Sequence, residues 1–419
     1  MAAILFSRRR LCGLALRHPY MLGPFLGIVF VDALLNGSTT LKFTNFMPRT
    51  SSGALPGRKT DPDQSSFKEM DTVFKILKTA ATAVISVAVF ATSALSAGID
   101  GAPAPFDKKT VNIAVVSFLG SGDWLQAFEA GVKQQADALG INLTVSQARN
   151  DNDVQRSLVE QAINLGVDGI IINNGRPETL KDVAQEALDK GIKVVAYDVN
   201  LDNPQIPQIE QNDKDMAKLV LDRAIKDKGD GFTGGAVYVA GFAPLDRRYA
   251  VWKDFIVNHN LKEKAVWGVV NDTVPASVAD QTKAVLRANP DISVIFTPWD
   301  EFAKGAKLAI DELGLSSKVK IYGVDISTAD IQLITEPDSA WAATAATNAA
   351  VVGEVSVRAV SLAIAGQFPG RSVLLQPTLI TRDDLISNKI GTIEELQQKF
   401  PAFLKSDAAT AAWIPAAKN

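Results

Sequence analysis

Three carboxylates stand at, or within three residues of, the ends of apolar β-branched runs: Asp198 after Ile192–Tyr197, Asp300 after Val294–Thr297 and Asp325 after Val319–Val324. An ionised carboxylate in such a place accepts hydrogen bonds from two vicinal hydroxyls at once, which suits a polyhydroxylated guest. An aspartate after a strand is also a common turn residue or helix cap, yet three in corresponding places argue for one shared site. Aromatic faces accompany them. Trp124 follows the turn Gly120-Ser-Gly-Asp123, with Asp123 as its neighbour, and Trp299 precedes Asp300. Sugar C–H groups pack on such rings while hydroxyls are satisfied at the edges. In Leu245-Asp-Arg-Arg248 an arginine fork is placed to donate to ring and hydroxyl oxygens. Adjacent helical residues point about 100° apart, so one of Arg247 and Arg248 is expected to face solvent.

Other chemistries find less support. Gly120 and Gly122 match the opening of a dinucleotide-binding turn, but the third small position is Leu125, whose bulk would obstruct close helix–strand packing. Cys12 is the one cysteine, and His18 and His259 are the two histidines, which excludes a disulfide framework and a Cys/His zinc cluster. Neither a Ser/His/Asp set nor a positioned acid–base pair emerges, so an enzyme is not expected, and neither is a cofactor or a metal. With 43 Lys and Arg against 46 Asp and Glu, the chain lacks the charge footprint of a nucleic-acid binder. Its 47% hydrophobic content is ordinary for a globular protein, and 419 residues suit two or three compact units.

The elements that must hold these residues begin near residue 110. Residues 1–69 form an extension with nine Lys and Arg against four Asp and Glu; it is read as disordered or as an artefact of start assignment. From Met70, Lys75 and Lys78 precede the apolar core Thr79–Phe90 and the small-residue exit Ala94-Leu-Ser-Ala97. These are the three parts of a secretory signal peptide over residues 70–97, too short to cross a bilayer as an anchor. Residues 98–109 read as a polar linker. Then strands of near-continuous apolar residues alternate with amphipathic helices, first from Val111 to Tyr197 and again from Ala236 to Val324, with a break at about Gln211–Asp213. Such alternation predicts an α/β fold of two doubly wound parallel-sheet domains, whose ligands bind beyond the carboxyl ends of the strands.

From about Lys108 to Asp384 the chain resembles the type I periplasmic binding proteins of ABC sugar importers, most closely the ribose-binding group. The marks are Val111-Asn-Ile-Ala-Val-Val116, Val167-Asp-Gly-Ile-Ile-Ile-Asn173, Ile192-Lys-Val-Val-Ala-Tyr-Asp198, the run Asn289–Glu301, Tyr322-Gly-Val-Asp325 and Trp341-Ala-Ala-Thr344. The resemblance implies a three-strand hinge near Gln211–Asn212, Thr347–Asn348 and Leu374–Gln376. It divides the chain into an N-terminal lobe, 110–211 plus 348–375, and a C-terminal lobe and tail, 212–347 plus 376–419. It places the family's stacking aromatic on Trp124, its hydroxyl-binding aspartates on Asp198 and Asp325, and a polar contact near Trp299-Asp300. The hinge-side glutamine falls on Thr347, with Asn348 adjacent. Val199 stands in place of the usual arginine, Arg248 lies one residue before the family's position at Tyr249, and Trp299 replaces an asparagine.

The resemblance thus implies a periplasmic monomer that captures a monosaccharide or polyol and delivers it to an ABC transporter permease, with no nucleic-acid partner. Two alternatives stay open: a receptor of the same fold for a non-sugar guest, such as a furanosyl signal or a polyamine-like cation held by the aspartates, and a nucleotide-dependent Rossmann enzyme.

Overall fold

The computed structural model describes residues 98–417; the extension, the leader starting at Met70 and Cys12 all lie outside them. The elements run β1 (Asn112–Ser117), α1 (Asp123–Ala138), β2 (Asn142–Gln147), α2 (Asn152–Asn164), β3 (Gly169–Asn173), α3 (Pro177–Asp189), β4 (Lys193–Tyr197), β5 (Gln208–Gln211) and α4 (Asp213–Lys228). They continue with β6 (Thr233–Val237), α5 (Ala243–Asn258), β7 (Lys262–Trp267), α6 (Val274–Ala288), β8 (Val294–Thr297), α7 (Asp300–Glu312), β9 (Lys320–Val324) and α8 (Thr328–Thr335). Last come β10 (Trp341–Ala346), α9 (Ala349–Ile364), β11 (Ser372–Leu375), β12 (Thr378–Thr381), α10 (Arg382–Ser387) and α11 (Ile393–Lys399).

Period-2 geometry explains why the central strands are apolar throughout. In β1, Ile113 and Val115 enter the core on one sheet face, whereas Ala114 and Val116 enter the core on the other. In β9, Ile321 and the pair Tyr322 and Val324 likewise divide between two cores. A strand covered on both faces cannot alternate apolar with polar residues. The first sheet has the order β11-β5-β4-β3-β1-β2 and the second β12-β10-β9-β8-β6-β7. Every pairing is parallel except that of β12 with β10.

The chain leaves the first sheet after β5, returns from β10 into α9, and leaves again between β11 and β12. Two segments depart from expectation. Residues 98–109 are not a free linker, because Ala102 and Phe106 are buried in the first lobe's core and the Phe106 ring lies 4.9 Å from that of Trp413. The tail is not part of the second lobe to its end. Leu396 and Phe403 pack in the second core, but Ala408, Trp413 and Ile414 pack on the first. Arg358 donates to the Ser406 carbonyl at 3.1 Å and Gln135 to that of Pro415 at 2.9 Å. Both side chains are buried in the first lobe and need partners there, which the returning tail supplies. The chain therefore crosses between lobes a fourth time, near Leu404–Ser406.

Helices α1 and α9 meet at a pair of glycines. A Cβ on Gly131 would lie 1.9 Å from the Ala350 carbonyl oxygen, and one on Gly353 would lie 2.2 Å from that of Phe128. Backbone cannot yield as a flexible side chain can, so either methyl would push the helices apart. Gly131→Ala is expected to cost about 1–3 kcal/mol, read as a lower denaturation midpoint; an unchanged midpoint would show that this packing is looser than described.

Candidate functional site

The carboxyl ends of the two sheets enclose a small cleft, partly open to solvent. Three of its lining residues, Asn174, Asp198 and Asp325, each follow a strand directly and adopt φ of 56°, 49° and 72°. That left-handed conformation is uncommon outside glycine but tolerated by Asn and Asp. It turns the chain sharply off the sheet and brings each polar side chain to the cleft instead of the core.

Beneath them lies a network of buried charge. Asp213, the first residue of α4, binds two adjacent arginines of α5, one oxygen to each: Arg248 Nε at 2.6 Å and Arg247 Nε at 2.7 Å. Arg248 also donates to the Pro298 carbonyl at 2.7 Å and to Asp325 at 3.4 Å. Arg247 reaches across to Asp198 at 2.5 Å and to Glu210 at 3.4 Å. The expectation that one of these arginines faces solvent is corrected: both turn inward, because Asp213, 2% exposed, stands between them and a buried carboxylate demands a counter-charge. Burial pushes the Asp198 carboxyl up to about 7; Asp213 adds to the rise, and Arg247 and Arg248 oppose it. Asp325 is raised as well, first by burial, with Arg248 pulling the other way.

Two residues lining this cleft each bury a polar atom without a hydrogen-bond partner, Asp325 its Oδ1 and Trp124 its Nε1. Trp124 is one plate of a ring stack, 5.3 Å from Tyr197 and 5.3 Å from Phe128.

Five of the eight residues singled out from sequence line the cleft: Trp124, Asp198, Arg248, Trp299 and Asp325. The other three are placed elsewhere. Asp300 opens α7 and is fully buried beside Lys304 and Asp330, away from the cleft. Asn348 caps α9, accepting from Ala350 N at 3.0 Å and donating to the Phe403 carbonyl at 3.0 Å. Asp123 faces the opposite lobe, where it accepts from Lys304 at 2.7 Å and Ser327 at 3.2 Å. Sequence reasoning missed Tyr197, Asp213, Gln211 and Val270. Gln211 ends β5 at the hinge and hydrogen-bonds Thr347, so the position beside the first crossing was its one available signal. The glycine turn does not cradle a phosphate. A Cβ on Gly122 would meet Glu301 Oε1 at 3.6 Å, and a carboxylate in that place repels the pyrophosphate of a dinucleotide.

The periplasmic binding protein domain family matches residues 113–368. The D-xylose-binding periplasmic protein of Escherichia coli is 30% identical over 216 residues, 48% of this chain and 62% of its own length. This chain thus spans less than two thirds of that relative. The ribose import binding protein RbsB of Bacillus subtilis is 24% identical over 60% of this chain and 81% of its own. Among solved structures, a 5-methylthioribose transporter solute binding protein from Thermotoga lettingae, in complex with 5-methylthioribose, is 35% identical. It covers 73% of this chain and 97% of its own, with a TM-score of 0.71.

A second charged cluster gives a pH dependence. Lys304 lies 2.7 Å from Asp123 and from Glu301, 3.5 Å from Asp330 and 3.8 Å from Asp300. Burial works against its charge, but Asp300, Asp330, Glu301 and Asp123 together outweigh it. Burial pushes Asp330 up to about 6 and raises Asp300 well above the usual range. A carboxyl with a raised folded-state value holds its proton more tightly folded than unfolded. Its stabilising contribution is therefore complete below the ordinary value near 4 and is lost as pH rises through about 6. Asp330→Asn is expected to shrink the drop in melting temperature between pH 5 and pH 8; an undiminished drop would show that this cluster does not titrate there.

Proposed function

The chain belongs to the periplasmic binding protein domain family, and from that membership together with the chemistry of its cleft we propose that it captures a monosaccharide or polyol between its lobes and delivers it to the membrane permease of an ABC importer. The observation that carries this reading is the gathering in one cleft of carboxylates, an arginine and aromatic faces from both lobes, Asp198, Asp325 and Arg248 with Trp124, Tyr197 and Trp299. A hydroxyl both donates and accepts while sugar C–H groups pack on rings, so a neutral polyhydroxylated guest suits this lining.

Charge narrows the guest further. Asp198, Asp213 and Asp325 already share Arg247 and Arg248, so a polyamine-like cation would compete with guanidinium groups that are themselves buried or half-buried. An anion would meet a site in which carboxylates outnumber arginines. The relatives support the same class, since two are named for xylose and ribose and the Thermotoga structure holds 5-methylthioribose.

Capture follows from the two-lobe geometry. Trp124 and Asp198 come from the first lobe, and Arg248, Trp299 and Asp325 from the second. A ligand touching both sets binds the closed arrangement better than an open one and shifts the population toward it. That closed form is what a permease would recognise. Export to the periplasm as a monomer, through the leader beginning near Met70, completes the proposal; among the described residues no helix is long and apolar enough to cross a membrane.

Thermal shift against pentoses, hexoses, polyols, putrescine and NAD tests the class. At a hundredfold excess over Kd, a true ligand adds about 2.7 kcal/mol of stability. Stabilisation by a neutral sugar or polyol is expected, and stabilisation by putrescine or NAD alone would overturn the reading. Asp325→Ala and Trp124→Ala should each weaken calorimetric affinity about 10- to 100-fold, the effect of losing a hydrogen bond in a charged or buried setting. Undiminished affinity in both folded variants would mean that the cleft is misplaced.

A further inference from the structure

We propose that Arg247 is a positioning residue for capture: without touching the guest, its guanidinium bridges the two lobes and holds the Asp198 carboxylate in place for it. The inference rests on the receptor reading above and deepens it.

Among the described residues the lobes exchange ion pairs at two places, Lys304 with Asp123, and Arg247 with Asp198 and Glu210. Neither Lys304 nor Asp123 lines the cleft. In the second group Asp198 lines it and Arg247 does not, so Arg247 reaches the guest only through the carboxylate it holds. Its own place is set by the start of α5, where Asp246 accepts from the Tyr238 hydroxyl at 2.6 Å and from the Gly241 amide at 3.1 Å. From the next residue, Arg247 Nε donates to Asp213 of the same lobe at 2.7 Å. Its Nη2 lies 2.5 Å from Asp198 Oδ1 and 2.6 Å from Asp213 Oδ2, and Nη1 lies 3.4 Å from Glu210. A planar fork can serve three carboxylates on two lobes at once, which the point charge of an ammonium cannot do.

The bridge has two effects. It exists only while the lobes are together, so it favours the closed arrangement. It also occupies Asp198 Oδ1 and leaves the second oxygen for the hydroxyls of the guest. Asp198 is 1% exposed, and a buried carboxylate short of counter-charge takes up a proton and loses acceptor capacity. Facing it, Asp213 of α4 favours that proton, whereas Arg247 and Arg248 of α5 and Tyr197 of β4 oppose it.

Calorimetric titration of the wild type and Arg247→Gln, at pH 6 and pH 8, with a carbohydrate that the wild type binds saturably tests the bridge. With Arg247 present the Asp198 carboxyl stands at about 7; without it the value moves higher. Between the two values the wild type is ionised and paired while the variant carries a proton, and below both the two proteins differ little. The variant is expected to bind about 10- to 100-fold more weakly at pH 8. That is the low end for losing one partner of a buried charge pair at an interface, because the Arg247 side chain is 23% exposed. The ratio should narrow severalfold at pH 6. Undiminished affinity at pH 8, or an equal deficit at both pH values, would overturn the proposal, since a loss of packing alone does not follow the proton on Asp198. Should Arg247→Gln fail to fold, Arg247→Lys keeps the charge without the span of the fork. It should show a smaller deficit with the same pH dependence, and a deficit indifferent to pH would be equally fatal. If the wild type binds no carbohydrate, the receptor reading itself falls; if it binds one and the variants do not differ from it, the bridge alone is wrong.

Discussion

Asp213 holds the site together. It sits at the first crossing between lobes, opens α4, and gives one oxygen to each of two adjacent arginines. Those arginines then reach Asp198 on one lobe and Asp325 on the other. Three nearly fully buried carboxylates share two guanidinium groups, so acceptor capacity exceeds the charge available to meet it. Buried ion pairs are weak sources of net stability, but they dictate which groups can sit opposite each other. Here the imbalance leaves Asp325 Oδ1 buried without a hydrogen-bond partner, the shortfall that the proposed ligand would meet.

Inside the cleft the lobes meet at the Phe118 and Phe242 rings and at the Arg247–Asp198 pair, and at its rim the contacts are polar and mostly half-exposed. Asn150 donates to Asp272 at 2.8 Å, Arg176 reaches the Ala240 carbonyl, and Asp123 meets Lys304. Exposed contacts of this kind contribute at most about 1 kcal/mol each. The guest is the natural source of the remaining free energy, because its contacts come from both sides at once. The returning tail from Ser406 to Pro415 adds a fourth passage to the connection between lobes. It also buries Phe106, which anchors the segment before β1.

Much of the fold was legible because a doubly covered strand must be apolar throughout, and runs such as Val111–Phe118 and Val319–Val324 have no other good use. The strand-end rule brought Trp124, Asp198, Trp299 and Asp325 to one place for the same reason. Legibility failed where identity depends on a distant partner. The segment Gln208–Gln211 is polar and follows Pro207, and it is a strand because β4 and β11 pair with it. Asp300 shares the strand-end signature of Asp198, but Asp198 and Asp325 stand in a left-handed turn toward the cleft whereas Asp300 continues into α7. Asn348 is polar and at the hinge, yet its side chain is spent on capping α9. Arg247 could not be placed without knowing that Asp213 would stand between the two arginines. The tail's return depends on buried Gln135 and Arg358, whose need for partners is invisible until their helices are packed.

Closure by a shared guest is the central claim, and solution X-ray scattering measures it directly. The radius of gyration should fall when a carbohydrate that binds saturably by calorimetry is added, because contacts from both lobes draw them together. Saturable binding with an unchanged radius of gyration would contradict the account, since the guest would then be held by a single lobe or by a cleft that never opens.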